Sequence, residues 1–214
     1  MGVFNAYTGF EPVRLSSGKT YCSGTLIAAD LSAHEAVETN LVLTCAHFFR
    51  NIKKSGYLVH SQRYPHAEER WKRRVHQVRT IDGTDIAVVR FSRAITAATP
   101  ALGSGRVLPG TAVTTIGFGG HRNHADTRPG HVILPLPLAV SNTGETRVRH
   151  AGIVFNAPRA VKGDSGGPTF ARGRVVGVQS LVFDPFGRNL GFATISLLAP
   201  HIPAIRAACS ALLA

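Results

Sequence analysis

The sequence predicts an all-β protein, a sandwich or a pair of barrels, on three observations. Short runs rich in Val, Ile, Leu and Thr recur between clusters of Gly, Pro, Asn and Asp. Helix signals are few and gather at the C-terminal end. Strands do not alternate with long amphipathic helices, as a parallel βαβ array requires. In chain order the strand-like runs are Tyr21–Ala28, Leu41–Thr44, Gly56–Val59, Val75–Thr80, Ile86–Phe91, Ala112–Phe118, His131–Val140, Arg147–Phe155, Thr169–Ala171, Arg174–Leu181 and Leu190–Thr194. Ala46–Arg50 reads as one helical turn. Ile195–Leu213 reads as the one real helix: Pro200 and Pro203 break or start it, and Ala204–Leu213 is rich in helix formers. Thr96–Pro109, rich in Ala, Gly, Ser and Pro, reads as a connector between two lobes, residues 1–98 and 99–214.

A chain of 214 residues can bury a large core. Its 44% apolar and 17% charged content excludes a disordered polymer. No apolar run is long enough to span a bilayer, so no membrane is expected among its partners. The opening MGVFNAYTGF has no basic segment followed by an apolar one and does not resemble a secretion signal. Met1-Gly2 opens a myristoylation pattern, but Ala6 stands where Ser or Thr is required. Three cysteines, Cys22, Cys45 and Cys209, are too few and too odd for a disulfide framework. Together these features give the expectation of a cytoplasmic protein in a reducing compartment.

The net charge is +12, and part of it is concentrated: Arg70, Lys72, Arg73, Arg74, His76 and Arg79 surround Trp71. This is either a solvated loop or edge strand, or a docking surface for an acidic partner. Nucleic acid is not expected, because the charges lack aromatic interleaving and no binding motif accompanies them.

The chemistry begins at Gly163-Asp164-Ser165-Gly166-Gly167-Pro168. Glycines on both sides of a serine permit positive φ and close approach, so a sharp turn there can present a hydroxyl and aim successive N–H groups into one concavity. Taken alone, the same residues also fit a hairpin turn. A serine hydroxyl needs a base beside it. Among ten histidines, His47 ends the apolar run Leu41–Ala46, where it would be held rigidly and still face a cleft. A core histidine satisfied by the backbone is the alternative. The base needs an acceptor to fix its tautomer. Asp85 heads the apolar run Ile86–Val89, where a carboxylate is poorly solvated and needs a partner. It could instead cap the turn at Asp82–Thr84. His121, His124 and His131, with Asp126 nearby, match no strong metal-ligand spacing, and no metal is expected.

Together these segments resemble the chymotrypsin-like (trypsin-like) serine peptidase family. Cys22–Ile27 resembles the family's CGGSLI or CSGTLI strand, and Leu43–His47 its LTAAH. Asp85–Val89 resembles DIALL, and Gly163–Pro168 is GDSGGP unchanged. The order His, Asp, Ser is also the family's. Weaker likenesses are Ile116–Gly119 to the TGWG turn, Val175–Ser180 to the strand whose Ser lies beside the catalytic Asp, and Gly191–Thr194 to GVYT.

The resemblance implies two six-stranded antiparallel β-barrels with a short C-terminal helix. It also implies a serine endopeptidase that needs no cofactor and acts on a protein or peptide substrate, with a regulatory protein as a further expected partner. In the family's mechanism Ser165 would attack the peptide carbonyl, His47 would take its proton, Asp85 would orient His47, and the N–H groups of Gly163 and Ser165 would form the oxyanion hole. Ser180, Val182 and Gly191 would line the substrate cleft.

By the same resemblance, Arg159 occupies the floor of the specificity pocket, where trypsin-like enzymes hold Asp. Pointing inward it would favour an acidic P1 residue; pointing outward it would leave a small or apolar pocket. Leu181, Val182 and Phe183 stand where the family has Trp-Gly, which narrows the entrance. The cystine beside the catalytic His is missing, with Phe48 in its second position, and a non-standard Cys22–Cys45 link stays open. Val161 replaces half of the pocket cystine. Asp164 is the residue that in the family pairs with a new N-terminal amine. Val3–Thr8 faintly resembles a mature start, and loss of Met1 would expose Gly2. An internal His or Arg is the other route to neutralising Asp164. The alternative function is an inactive domain that binds an acidic partner through its Arg-rich face.

Overall fold

The computed structural model describes residues 10, 12–50, 56–61, 71–120, 123–184 and 188–214. Twelve strands form two closed barrels, as the resemblance implies. The first contains β1 (Pro12–Ser17), β2 (Thr20–Ile27), β3 (His34–Cys45), β4 (Leu58–His60), β5 (Lys72–Ile81) and β6 (Ile86–Thr99), in the spatial order β1-β2-β3-β6-β5-β4. The second contains β7 (Ala112–Gly117), β8 (Asp126–Val140), β9 (Arg147–Asn156), β10 (Pro168–Ala171), β11 (Arg174–Val182) and β12 (Phe192–Leu197), in the order β10-β11-β12-β9-β8-β7. All pairings between these strands are antiparallel, and closure leaves few free edges.

Alternation sets the cores. Val13 and Leu15 of β1 point inward while Arg14 and Ser16 are more exposed. Ile86–Val89 of β6 is buried throughout, because one face fills the barrel and the other is covered by neighbouring elements. One of those is α1 (Ile202–Leu213), which buries Ile205, Ala208, Cys209 and Leu212, the i, i+3, i+4, i+7 stripe of an amphipathic helix. Arg90 of β6 donates to the Leu212 carbonyl at 2.6 Å and so satisfies one of the free acceptors at the helix end.

The structure corrects several expected boundaries. β1 carries no run of apolar residues and begins with Pro, so it gave no strand signal. The polar start of β3 and the Pro-containing start of β8 likewise lack an apolar run and carry no strand signal. β6 runs to Thr99, four residues into the stretch read as connector, because Thr96 and Ala97 pair with Glu38 and Val37. Ile195–Leu197 continues β12, and the helix starts only at Ile202, after a 3₁₀ turn over Ala199–His201. His47–Phe49 is a 3₁₀ turn inside the single turn expected at Ala46–Arg50.

One side chain joins the barrels where it matters most. Ser23 of β2 is fully buried. Its N–H donates to the Ser165 carbonyl at 2.7 Å. Its hydroxyl donates to the Gly163 carbonyl at 2.7 Å and accepts from the Phe118 N–H at 2.9 Å. Removing a buried partner that leaves donors and acceptors unsatisfied costs about 1–3 kcal/mol. Ser23→Ala is expected to lower the free energy of urea unfolding by about 2 kcal/mol. A change below about 0.5 kcal/mol would mean these bonds do not hold the lobes in register.

Candidate active site

The end of β3 and the start of β6 are paired, Cys45 opposite Ile86, so the residues just beyond them, Ala46-His47 and Asp85, meet at the rim of the first barrel. Asp85 is completely buried. Its carboxylate accepts the His47 N–H at Oδ1 (2.8 Å) and bonds His47 Nδ1 at Oδ2 (2.7 Å). Its carbonyl accepts the Ala46 N–H at 3.1 Å. Nδ1 therefore carries the ring proton in the neutral imidazole, and Nε2 is left as an acceptor, as a general base needs. Thr84 locks the turn beneath: its hydroxyl donates to the Ile81 carbonyl at 2.8 Å and accepts the Ile86 N–H at 3.1 Å.

Burial works to lower the pKa of His47, while the Cys45 sulfur and the Asp85 carboxylate work to raise it; the outcome is upward. Cys45 lies 3.8 Å from Nε2. Its thiol is itself pushed well above its usual range, chiefly by burial. It is therefore uncharged near neutral pH, its own charge effect on His47 falls away there, and the hydrogen bond and charge of the Asp85 carboxylate are what hold the imidazolium against burial. Cys22 and Cys209 are likewise free thiols, and the Cys22–Cys45 link left open by the sequence is not formed.

The Ser165 turn is built by glycines that nothing larger can replace. Gly163 has φ +101°, and a Cβ there would stand 2.5 Å from the Tyr21 ring. Gly166 has φ +83°, and its Cβ would stand 2.1 Å from the Ser23 carbonyl oxygen, 2.3 Å from Thr44 Oγ1 and 3.0 Å from the Cys45 nitrogen. The turn is thus pressed against the end of β3, two residues before His47. The Lys162 carbonyl accepts the Gly120 N–H at 3.2 Å, and the Asp164 carbonyl accepts the Gly167 N–H at 2.9 Å. In a trans peptide the C=O and the following N–H point in opposite directions. The N–H groups of Gly163 and Ser165 therefore face away from those bonds, and among the described residues neither is bonded to another backbone group. The Ser165 hydroxyl rests on the Ser180 carbonyl at 3.4 Å, a long bond, and no bond to His47 is formed. Rotation about one side-chain bond redirects this hydroxyl, and in unliganded active sites such bonds are often long.

Asp164, also completely buried, is fully engaged. Arg128 of β8 approaches with Nε 2.5 Å from Oδ2 and Nη2 3.3 Å from Oδ1. The Gly119 N–H donates to Oδ1 and the Val161 N–H to Oδ2, each at 2.8 Å. Of the two routes to neutralising Asp164, the structure shows an internal arginine. Met1, Gly2 and Val3–Thr8, the expected source of an amine, lie outside the described residues. Arg128 itself was invisible in the sequence, since it sits among Asp, Thr, Pro and Gly with no strand signal. The demand for a cation beside Asp164 was the only pointer to it.

The residues expected to bind substrate divide. Arg159 is exposed and donates to the Asn189 carbonyl, while the Asn189 side chain bonds the Ala160 carbonyl at 2.6 Å and the Gly191 N–H at 2.9 Å. Gly191 has φ +86° and lies against the Phe155 ring. Val182 is half-buried against the apolar cluster that includes Ala160 and Ala193. The Ser180 hydroxyl does not reach Asp85; it bonds Ser196 Oγ at 2.9 Å. Among the described residues no group of His, Cys, Asp or Glu is arranged to hold a metal ion: His124 lies 3.7 Å from Asp126, and His131 packs on Phe155. His121 lies outside the described residues.

The profile of the trypsin-like peptidase domain matches residues 22–178. No curated protein matches the chain. Solved structures do. The active form of the Rv3671c protease from M. tuberculosis is 14% identical with a TM-score of 0.66, over 91% of this chain and 78% of that one. A serine endoprotease from Yersinia pestis is 15% identical with a TM-score of 0.65, over 93% and 62%. The MamO protease domain from Magnetospirillum magneticum is 18% identical with a TM-score of 0.68, over 90% and 94%. At these identities the likeness is one of fold.

Two outcomes follow from the geometry. Arg128→Met leaves a buried carboxylate without its cation and is expected to lower the unfolding free energy by about 3–5 kcal/mol; an unchanged denaturation midpoint contradicts the pairing. Any activity that uses His47 as a base requires its neutral form. kcat/KM should therefore rise with pH, with a midpoint above the ordinary 6.5, and Asp85→Asn should move that midpoint down. A midpoint that stays put in Asp85→Asn contradicts the assigned cause.

Proposed function

The chain belongs to the trypsin-like peptidase domain family, and from that premise we propose that it is a working serine endopeptidase. The observation that carries this reading is the buried Asp85 carboxylate gripping both the backbone and the ring of His47, beside a serine turn whose two amide donors have no backbone partner among the described residues. Ser165 attacks the scissile carbonyl as His47 Nε2 takes its proton. The charge developing on the carbonyl oxygen is met by the N–H groups of Gly163 and Ser165, each worth about two to three orders of magnitude in rate. His47 then protonates the leaving amine, and water, activated by the same imidazole, releases the acyl group. Asp164 and Arg128 stay out of the chemistry. Held together, they keep the Lys162–Ser165 backbone in the orientation that exposes both donors.

For specificity we propose a small aliphatic P1 residue. By the family resemblance Val182 belongs at the pocket mouth, and its packing on the apolar cluster that includes Ala160 and Ala193 supports a shortened space for a side chain. Arg159 is exposed and its guanidinium is held by the Asn189 carbonyl, which supports its outward placement over the acidic-P1 alternative.

A fluorophosphonate probe is expected to label Ser165 and to leave Ser165→Ala unlabelled; an unlabelled wild-type chain would support the inactive, binding-only domain instead. Val182→Gly should raise kcat/KM for Leu or Phe at P1 relative to Ala by about 10- to 100-fold. A library profile dominated by Glu or Asp at P1, and abolished by Arg159→Ala, would contradict the small pocket.

A further inference from the structure

A groove of about 770 Å³ runs between α1, β5 and β9, and none of its lining residues is His47, Asp85 or Ser165. Four basic side chains converge on it: Arg79 from β5, Arg149 and His150 from β9, and His201 from the turn before α1. The rings of His150 and His201 lie 5.3 Å apart, and His201 Nε2 is 3.4 Å from the Arg149 carbonyl. Asp82 is the one acidic residue in the lining. Among the described residues neither Arg79 nor Arg149 forms an ion pair. The helix presents only alanines here, Ala204, Ala207, Ala208 and Ala211, so no side chain among the described residues fills the space. At Pro137 and His150 the groove meets a second pocket of about 270 Å³, walled by Leu108, Pro135, Leu136 and Leu197. Leu108 is 58% exposed.

We propose that this groove and its apolar annex form a second binding site that takes an acidic peptide segment, with carboxylates on the arginine and histidine side and an aliphatic side chain in the annex. Four features select that ligand. Arg79 and Arg149 line the groove with two imidazoles and with one acidic residue, Asp82, among them. Burial lowers the pKa of His201, its bond to the Arg149 carbonyl offsets part of this, and the neighbouring His150 and Arg149 lower it further; a bound carboxylate beside it would favour its protonated form. The annex rewards an apolar side chain. No Phe, Tyr or Trp lines either compartment, so there is no platform on which a nucleic-acid base would stack. Pro135 and Pro137 remove two N–H groups from β8, so the peptide is held by side chains and not as an added strand.

The test uses the full chain as Ser165→Ala, which prevents cleavage and makes binding independent of catalysis. A fluorescein-labelled peptide of glutamates around a central Leu is titrated and read by anisotropy. Binding should weaken as salt rises. Arg79→Glu with Arg149→Glu should weaken it at least tenfold, while Lys72→Glu with Arg74→Glu, the same charge change elsewhere on β5, should cost no more than about twofold. Ala207→Trp, which fills the groove without altering charge, should also weaken it at least tenfold; thermal unfolding identifies variants that fold normally. The proposal is overturned if both charge-reversal pairs weaken binding equally, if Ala207→Trp has no effect, or if a single-stranded oligonucleotide of equal charge binds as tightly as the peptide.

Discussion

Asp85 has no contact with water, so the protein has to meet its charge, and the way it does so fixes the site. One oxygen is taken by the backbone of His47 and the other by its ring. An ionised carboxylate left unpaired in such a place would be very costly. The same bonds that make its burial tolerable therefore also set the position, tautomer and basicity of the imidazole. Asp164 repeats the logic on the second barrel. It is equally buried, and Arg128 with two backbone N–H groups satisfies it. In doing so it ties down the backbone on both sides of Gly163. Each barrel thus contributes one buried acid, and each acid orders a different half of the candidate site.

What brings the halves together is close packing of backbone on backbone. Gly166 leaves no room for a side chain because the Ser23 carbonyl, the Thr44 hydroxyl and the Cys45 nitrogen already occupy it. Ser23 closes the contact with bonds to the carbonyls of Ser165 and Gly163. Since β2 pairs with β3, with Gly24 opposite Thr44, this contact refers the serine turn to the strand that ends at His47. The core supports the arrangement: the main apolar cluster joins first-barrel residues to Ile116, Phe170, Val175 and Val178 of the second barrel and to α1.

The sequence disclosed these parts unevenly, for physical reasons. The Gly-flanked Ser165, and His47 and Asp85 at the ends of apolar runs, were legible because their local backbone demands are written in adjacent residues. β1 was not, since a short strand with two inward side chains leaves almost no pattern. Ser23 and Arg128 gave no signal because their roles are made entirely by partners distant in sequence; the Ser23 hydroxyl bonds a carbonyl 140 positions away. The direction of Arg159 was open for a different reason: a long side chain at a surface takes its orientation from whichever acceptor is in reach, here the Asn189 carbonyl. The basic groove was likewise hidden. The sequence drew attention to the run at Arg70–Arg79, but the structure gathers Arg79 with Arg149 and His150 of β9 and His201 of the turn before α1.

The central claim is that residues of the two barrels act on one reacting atom. A crystal structure of the chain reacted with a peptidyl phosphonate tests it most directly. The account predicts a bond from phosphorus to Ser165 Oγ, a phosphonyl oxygen within about 3 Å of the Gly163 and Ser165 nitrogens, and His47 Nε2 turned toward the adduct. An adduct on Ser165 whose oxygen meets neither amide, or with the imidazole turned away, would contradict it.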